Sequence, residues 1–343
     1  MRFASSTASS IIFLTATSRR RFYSASAFTV HNSFSELIHR YDAFILDQFG
    51  VMHDGVNALD GAVDCVRELY ENGKTLIILS NTSAPSQAAL QKLPKFGFDE
   101  THFLGAVTSG EEASKYIRQT FGSQPSSPSK ALFLTWDASD VNNPRLTATP
   151  QRFLQECGHV QVASTVEEAD FLLLHGSEVW YRGDSLSQKS LKRFIEEGDL
   201  TDLETILQAC IDRSLPCVCA NPDFVVQTPE GGQAHMPGKI AARYQELGGH
   251  TTLFGKPHKD QFLACIDRLG LEKSRVAHVG DSLHHDIAGA CQAGIPSVFV
   301  TSGIHASQFG TSFGELPGIE LIDQVVTQAG SAVPTHVVSA FRI

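Results

Sequence analysis

The sequence lacks a long apolar run, a close pair of cysteines and an excess of basic residues. A helix that crosses a bilayer needs about 20 mostly apolar residues, and no run here approaches that length, so we expect no membrane partner. The seven cysteines are scattered without a C-x-x-C pair, which indicates a reducing compartment. With 27 basic and 37 acidic residues, the chain is a poor candidate for nucleic-acid binding, which requires basic surface to neutralise phosphates.

Acidic residues are also missing from the start of the chain. None precedes Glu36, and residues 1–30 are rich in Ser, Thr, Ala and Arg. This composition is typical of an organelle transit peptide. The stretch "RRRFYSAS" resembles mitochondrial processing sites, where arginine stands shortly before an aromatic residue and a serine. We therefore predict a mitochondrial location, with the plastid as an alternative and a disordered extension without an address as another.

From Tyr41 onward, short apolar runs alternate with helical patterns. "AFIL", "TLIIL", "VAHVG" and "PSVFV" are predicted as strands. Segments such as "GAVDCVRELYENG", "GKIAARYQELGG" and "KDQFLACIDRLG" are predicted as helices that end at glycine. Strands alternating with helices imply a parallel sheet covered on both faces. The predicted fold class is therefore α/β, with a three-layer, Rossmann-like core.

A second α/β unit interrupts this pattern. Loop-rich stretches, "GSQPSSPSK" and "DASDVNNPRLTATP", separate further strand patterns such as "ALFLTW", "DFLLLHG" and "PCVCA". The strand–loop–helix rhythm of the first unit then resumes. We predict a core domain made of residues 38–107 and 238–330, with an α/β domain, 108–237, inserted into it. Residues 331–343 carry little signal and are predicted as a tail.

Polar side chains follow four of the apolar runs. In an open parallel sheet, ligands bind beyond the carboxyl ends of the strands. Carboxylates suit Mg²⁺, which prefers oxygen ligands, and lysine and hydroxyl groups stabilise phosphoryl oxygens. Singly, such residues often only cap a helix, but together they indicate a site for a divalent cation and a phosphoryl group. The residues are Asp47, Ser80, Asn81, Lys256, Asp281 and Asp286.

In order and spacing, the four segments resemble motifs I to IV of the haloacid dehalogenase-like hydrolase superfamily. The motifs correspond to "DQFGV", "LSNTS", "GKP" and "GDSLHHD". The stretch "ANPD" (Ala220 to Asp223), the "GKP" motif and the insertion between motifs II and III are similar to the class IIA branch. That branch carries a large α/β cap and includes the p-nitrophenyl-phosphatase-like and pyridoxal-phosphate phosphatases. The resemblance covers about residues 41–305.

This resemblance implies specific roles for the motif residues. Asp47 would be the nucleophile and a ligand of Mg²⁺. The backbone carbonyl of Phe49 would supply a second ligand and Asp281 a third, with Asp286 orienting this group of ligands. Lys256 would pair with both Asp47 and the phosphate.

The resemblance also implies how substrate is bound. Ser80 would hydrogen-bond a phosphoryl oxygen, assisted by Asn81. Asn221 and Asp223 of "ANPD" would face the active site and help to select substrate, although an Asn-Pro turn of no further function is an equal alternative. The implied partner is a small phosphorylated metabolite. Class IIA relatives often dimerise through their caps, so a homodimer is an expectation.

One motif residue departs from the family pattern. The family has a carboxylate two residues after the nucleophile, and this chain has Phe49. That carboxylate protonates the leaving oxygen, a function worth about 10²–10⁴-fold. We expect a Mg²⁺-dependent phosphatase-type hydrolase that forms an aspartyl-phosphate on Asp47. Its acid would be relocated, for example to His53 or Asp54, or made unnecessary by an acidic leaving group such as an acyl phosphate.

Three alternatives to this phosphatase hypothesis stay open at this point. The first is a dehalogenase-like hydrolase of a non-ester substrate, because the superfamily's dehalogenases also have an aromatic residue at the position of Phe49. The second is a protein that binds a phosphometabolite and turns it over poorly or not at all. A retained fold with no chemistry would also account for the motifs.

Overall fold

The computed structural model describes residues 28–139, 149–183, 188–227, 232–330 and 332–343. In these ranges the chain forms two domains, each built on its own sheet. The core domain has seven strands, all paired in parallel. In spatial order they are β1 (Thr29–Val30), β16 (His336–Val338), β15 (Ser297–Val300), β14 (Val276–Gly280), β2 (Ala43–Leu46), β3 (Thr75–Ser80) and β4 (Phe103–Thr108).

Helices cover both faces of the core sheet. They are α1 (Ala62–Glu71), α2 (Ser86–Lys92), α8 (Lys259–Leu269), α9 (Ala288–Ala293), α10 (Ala306–Phe309) and α11 (Ile319–Ala329). In β2, Phe44 and Leu46 pack into the apolar cluster that contains α1, whereas Ala43 and Ile45 pack into the cluster that contains α8. Successive strand residues point to opposite faces, so a run that is apolar throughout is what a sheet covered on both sides requires.

The inserted domain, which we call the cap domain, has a mixed sheet. Its strands lie in the order β13 (Thr251–Leu253), β10 (Cys217–Cys219), β7 (Phe171–Leu174), β5 (Ser129–Thr135), β8 (Val179–Tyr181) and β9 (Lys189–Ser190), with β6 (Val160–Val162) also paired to β5. Its helices are α3 (Ser109–Thr120), α4 (Pro150–Glu156), α5 (Lys192–Glu197), α6 (Thr201–Asp212) and α7 (Pro237–Glu246). A separate hairpin joins β11 (Val225–Gln227) to β12 (Gln233–His235).

The predicted domain boundary at residue 238 is wrong. The helix α7 runs across this boundary and β13 follows it, yet β13 pairs with β10 of the cap sheet. Ile240 and Tyr244 of α7 pack into the apolar cluster of the cap, and the Tyr244 hydroxyl donates to the carbonyl of Leu215 at 2.7 Å. An amphipathic helix shows where its apolar face is but not which sheet covers it, so the sequence pattern did not separate α7 from the core helices.

The two ends of the core domain were also assigned wrongly. The predicted tail, 331–343, contributes β16, which lies between β15 and β1 in the core sheet. The last residues of the predicted leader are part of the core, because Phe28 is buried and β1 pairs with β16. The side chains of His31 and His336 meet at 3.1 Å behind this pair of strands. The rest of the predicted leader, residues 1–27, lies outside the described residues.

The predicted fold class is confirmed: a parallel sheet with helices on both sides, carrying an α/β cap domain. Over the described ranges, no helix is both long and apolar enough to cross a membrane.

Candidate active site

Three adjacent core strands bring predicted site residues to one edge of the sheet. Strands β14, β2 and β3 are neighbours, and at their carboxyl ends lie Asp281, Asp47 and Ser80. The backbone N–H of Asp47 donates to the carbonyl of Val279 at 3.0 Å. Pairing between β2 and β14 therefore continues up to the carboxylate and fixes its main chain.

Lys256 also lies at this edge, but it does not follow a strand of the core sheet. The prediction that it follows a core strand is wrong, because it follows β13 of the cap sheet and precedes α8 of the core. It therefore lies on the segment that links the two domains. Its buried Nζ is 2.5 Å from Oδ1 of Asp47 and 2.8 Å from Oδ1 of Asp286. These two ion pairs hold the ammonium between the carboxylates.

Asn81 fixes the main chain of Lys256. Its Oδ1 accepts from the Lys256 N–H at 2.7 Å, and its Nδ2 donates to the Lys256 carbonyl at 3.2 Å. The same Nδ2 group donates to Oδ1 of Asp223 in the cap domain at 2.7 Å. Asn81 thus links motif II, the lysine segment and the cap through one amide side chain.

Asp286 and Asp281 are held by different groups. The fully buried Asp286 carboxylate is hydrogen-bonded to Nε2 of His278 at 2.8 Å and accepts from the Ser282 N–H at 3.0 Å. The Asp281 carboxylate accepts from the Ile304 N–H at 2.7 Å. The sequence predicted the carboxylates but not these supporting groups.

Two glycines make room for Asp281. A Cβ atom at Gly50 or at Gly303 would overlap the Oδ2 atom of Asp281. Gly50 also has a φ of +82°, a main-chain conformation that residues other than glycine rarely adopt. Both glycines are therefore required for the main chain to approach the carboxylate closely.

Three buried carboxylates meet at this edge, and Lys256 forms ion pairs with two of them, Asp47 and Asp286. Oxygens of Asp47, Asp281 and Asp286 lie within 4.8 Å of one another. Burial raises the pKa of Asp47 to about 7, with the Lys256 ammonium opposing this rise and the Asp286 carboxylate adding to it. Burial and the charges of Asp47 and Asp286 raise the pKa of Asp281 well above its ordinary value. Despite burial, the Lys256 ammonium and the His278 ring hold the pKa of Asp286 low. This excess of buried negative charge and oxygen donors fits a divalent cation.

A cavity of about 540 Å³ extends from these carboxylates between the two domains. The cap domain contributes Trp136, Asn221, Asp223 and Met236 to its wall. The predicted "ANPD" residues are therefore at the cavity, but the Asn221 Oδ1 atom accepts from the Asp223 N–H at 3.0 Å. Asn221 thus shapes the turn, while the Asp223 carboxylate bonds to the core domain.

Phe49 forms part of the cavity wall. Its side chain is 36 % exposed, and its ring lies edge-on to His53, with the ring centroids 6.3 Å apart. The His53 ring in turn stacks on Phe96 at 4.1 Å. At the position where the family pattern has a carboxylate, this chain thus presents an apolar surface.

The two proposed substitutes for the missing acid have other roles. The Asp54 carboxylate accepts from the N–H groups of Val56 and Asn57 at 2.8 and 2.7 Å, which is the work of a turn former. The His53 Nδ1 atom accepts from the Gly55 N–H, and burial lowers the pKa of His53 to about 4. The His53 ring is therefore neutral at physiological pH, and neither side chain is poised as a proton donor.

Known families match both segments of the core domain. A haloacid dehalogenase-like hydrolase model matches residues 44–138, and a second HAD-hydrolase-like model matches residues 253–323. The chain belongs to the haloacid dehalogenase-like hydrolases. The matches contain the carboxylate, lysine and hydroxyl residues that meet at the edge of the sheet.

Three proteins similar to this hydrolase carry phosphatase names. The acid sugar phosphatase of Staphylococcus aureus is 23% identical over 269 residues, which are 77% of this chain and 88% of the relative. The p-nitrophenyl phosphatase of Archaeoglobus fulgidus has a TM-score of 0.59 and 23% identity, over 88% of this chain and 97% of that one. A glycerol phosphate phosphatase of Mycobacterium tuberculosis, solved with magnesium, has a TM-score of 0.59 and 19% identity, over 89% and 77%. These two solved structures share the fold.

Several residues of this haloacid dehalogenase-like site escaped sequence reasoning. His285 lies at the cavity, with Nδ1 3.9 Å from Oδ1 of Asp223. Trp136 of the cap donates from Nε1 to the Ser83 hydroxyl of the core at 2.9 Å. Lys92, at the end of α2, also lines the cavity. His285 stands inside the "GDSLHHD" motif and was detectable by position, whereas the others come from segments with no motif.

Proposed function

We propose that this protein is a Mg²⁺-dependent phosphatase that acts on a small phosphorylated metabolite through an aspartyl-phosphate on Asp47. The observation that carries the proposal is the buried group of three carboxylates around Lys256, with Nζ 2.5 Å from Asp47. The phosphatases among the relatives and the solved structure with magnesium support the same class of reaction.

The residues present fit a magnesium ion. Asp47, Asp281 and the backbone carbonyl of Phe49 would hold it, and Asp286 would orient them. When bound, Mg²⁺ supplies positive charge to the phosphoryl oxygens. The positive charge of the ion would also balance the negative charge of the buried carboxylates, which the surrounding protein disfavours.

The protein's own groups account for the two halves of the reaction. An oxygen of Asp47 attacks phosphorus, a bond to the carboxylate forms, and the bond to the leaving oxygen breaks with its electron pair. Water then attacks the same phosphorus, and the bond to Asp47 breaks with its electron pair on the carboxylate. The proton lost by the water passes to the inorganic phosphate that is released. Lys256 stabilises negative charge beside Asp47. The Ser80 hydroxyl accepts from the Thr82 N–H at 3.3 Å, so its own proton is available to a phosphoryl oxygen.

The leaving group must depart without a proton from position 49. Phe49 offers none, and His53 is neutral and stacked. We therefore expect acyl phosphates and phosphates of acidic alcohols or phenols to be hydrolysed faster than alkyl phosphates.

The deciding experiment is a phosphatase panel with purified residues 28–343, with and without Mg²⁺. We expect Mg²⁺-dependent phosphate release that is lost in Asp47→Asn. In Phe49→Asp, alkyl phosphates should gain about 10²–10⁴-fold in rate, while acyl phosphates change little. No phosphate release from any ester or acyl phosphate, in the wild type or in Phe49→Asp, would contradict the proposal.

The second candidate is a phosphometabolite-binding protein without turnover. The observation that favours it is Phe49 itself, which lies at the cavity wall where the family has its acid. Tight binding without turnover, unaffected by Asp47→Asn, would support this candidate. A dehalogenase-like activity has less support, because halide displacement needs only Asp47 and would leave Asp281 and Asp286 without a function. Metal-independent halide release from a 2-haloacid would reveal it.

A mitochondrial location, with the plastid as the alternative, and a homodimer formed through the cap domain also remain proposals. The location rests on the composition of residues 1–30, and the homodimer rests on the class IIA resemblance.

A further inference from the structure

The cavity contains more than a phosphoryl site. Its volume of about 540 Å³ lies in the range of sites that enclose a whole small molecule, about 300–1,000 Å³. One wall is aromatic. The ring of Phe49 contacts that of His53, both in the loop that carries Asp47, and the ring of His53 stacks on that of Phe96, which lies after α2. Such a wall suits a planar or apolar part of a ligand.

A cation stands beside the aromatic wall. Lys92, on the core side, lines the cavity and is close enough to His53 to lower the pKa of its ring. Lys92 is half-buried, and the charged group that acts most on it is another cation, Lys95. In the described part of the chain, no carboxylate forms an ion pair with Lys92.

A half-buried lysine without a carboxylate is costly, because burial removes water from the charge and nothing replaces it. Lys92 is also distinct from Lys256, whose charge is used by Asp47 and Asp286. Among the described residues that line the cavity, the two lysines are Lys256 and Lys92, and no carboxylate of this set pairs with Lys92.

We propose that Lys92 binds a second anionic group of the substrate, a carboxylate or a phosphate, while the apolar segment between the two anions lies on Phe49, His53 and Phe96. This inference rests on the proposed function and specifies its substrate class. The substrate is a phosphorylated acid or a bisphosphate rather than a neutral sugar phosphate or a simple alkyl phosphate.

Calorimetric titration with non-hydrolysable phosphonates tests the inference in the presence of Mg²⁺. The probes are phenylphosphonate, its 3-carboxy, 4-carboxy and 4-carboxymethyl derivatives, and 1,4-phenylenebisphosphonate. In the wild type, at least one doubly anionic probe should bind about tenfold or more tightly than phenylphosphonate, as expected for a charge-assisted hydrogen bond. The carboxylate and bisphosphonate probes distinguish the two kinds of second anion.

Three variants locate the effect. Lys92→Met keeps the aliphatic stem and should abolish the gain while leaving phenylphosphonate binding unchanged. Lys92→Arg should restore most of the gain. Lys95→Met, a matched control that removes an exposed neighbouring charge outside the cavity wall, should keep it.

The outcomes separate this inference from the proposed function. If phenylphosphonate binds and no second anion adds affinity, or if Lys92→Met retains the gain, then Lys92 does not recognise substrate and the phosphatase proposal stands. If no phosphonate binds the wild type and Asp47-dependent phosphate release is also absent, both are overturned.

Discussion

Asp47→Asn should stabilise the metal-free protein while it abolishes turnover. Asp47 is buried beside two further carboxylates, and the Lys256 ammonium that pairs with it keeps a second partner, Asp286, at 2.8 Å. Replacing the carboxylate by a neutral amide of the same shape removes buried negative charge without leaving Lys256 unpaired. The site is thus built for an added cation, at the expense of stability in its absence.

The size of the effect follows from the pKa of Asp47. Burial raises this pKa from an ordinary 3.8 to about 7, and each unit corresponds to about 1.4 kcal/mol. Between these two values the folded state binds more protons than the unfolded state, so stability falls as pH rises through this window. Above pH 7 the ionised carboxylate costs about 4 kcal/mol. Asparagine does not titrate, so the stabilisation should approach this value at pH 8 and fall to about 2 kcal/mol at pH 5.

Urea unfolding at 25 °C in EDTA, at pH 5 and at pH 8, measures both free energies of unfolding. At pH 8, Mg²⁺ at 100 times its dissociation constant should remove most of this difference, because the wild type gains about 2.7 kcal/mol, whereas the variant lacks a ligand. A variant that is less stable than the wild type in EDTA at pH 8, or a difference independent of pH, would refute the electrostatic account of this site.

Two further predictions concern the main chain around the site and the edge of the core sheet. Gly303→Ala should reduce activity at least tenfold, because its Cβ would displace the Asp281 carboxylate. The matched control is Gly318→Ala, whose Cβ meets nothing closer than 3.8 Å. Equal activity of the two variants would count against the steric argument. A chain that starts at residue 32 should unfold about 3 kcal/mol more easily than one that starts at residue 28, since it loses buried Phe28 and the His31 partner of His336. Burial lowers the pKa of His336 to about 4, so the longer chain should itself lose stability as pH falls from about 6.5 towards 4. Identical urea midpoints of the two chains would show that β1 contributes nothing.

The sequence was most informative about strands whose local pattern of apolar residues matches their buried position in the fold. "AFIL" is apolar throughout and "VAHVG" is apolar except for His278, because both faces of the core sheet are covered, and they are β2 and β14 in the structure. The residues after these strands were detectable as candidates because parallel strands end at one edge. The carboxylates of Asp47, Asp281 and Asp286 consequently meet as the motifs implied.

Other features had no local signal. The strand β1 has two residues and β16 has three, so neither forms a pattern long enough to recognise. The helix α7 is amphipathic in either domain, and only packing assigns it to the cap. Gly50 and Gly303 are 253 positions apart in the sequence, and their shared role at Asp281 exists only after folding.

The position of Lys256 has a consequence for how the protein could be re-engineered or could have diversified. Lys256 does not belong to the core sheet. It lies on the segment that leads from the cap back to the core, and the side chain of Asn81 holds its main chain there by two hydrogen bonds. A core domain that folded without the inserted domain would still position the three carboxylates, but nothing would position the Lys256 ammonium beside them. Exchange of one cap for another would therefore succeed only when the incoming domain delivers residues 255–257 to Asn81 in register, so the insertion is as much a part of the catalytic assembly as the strands that precede it.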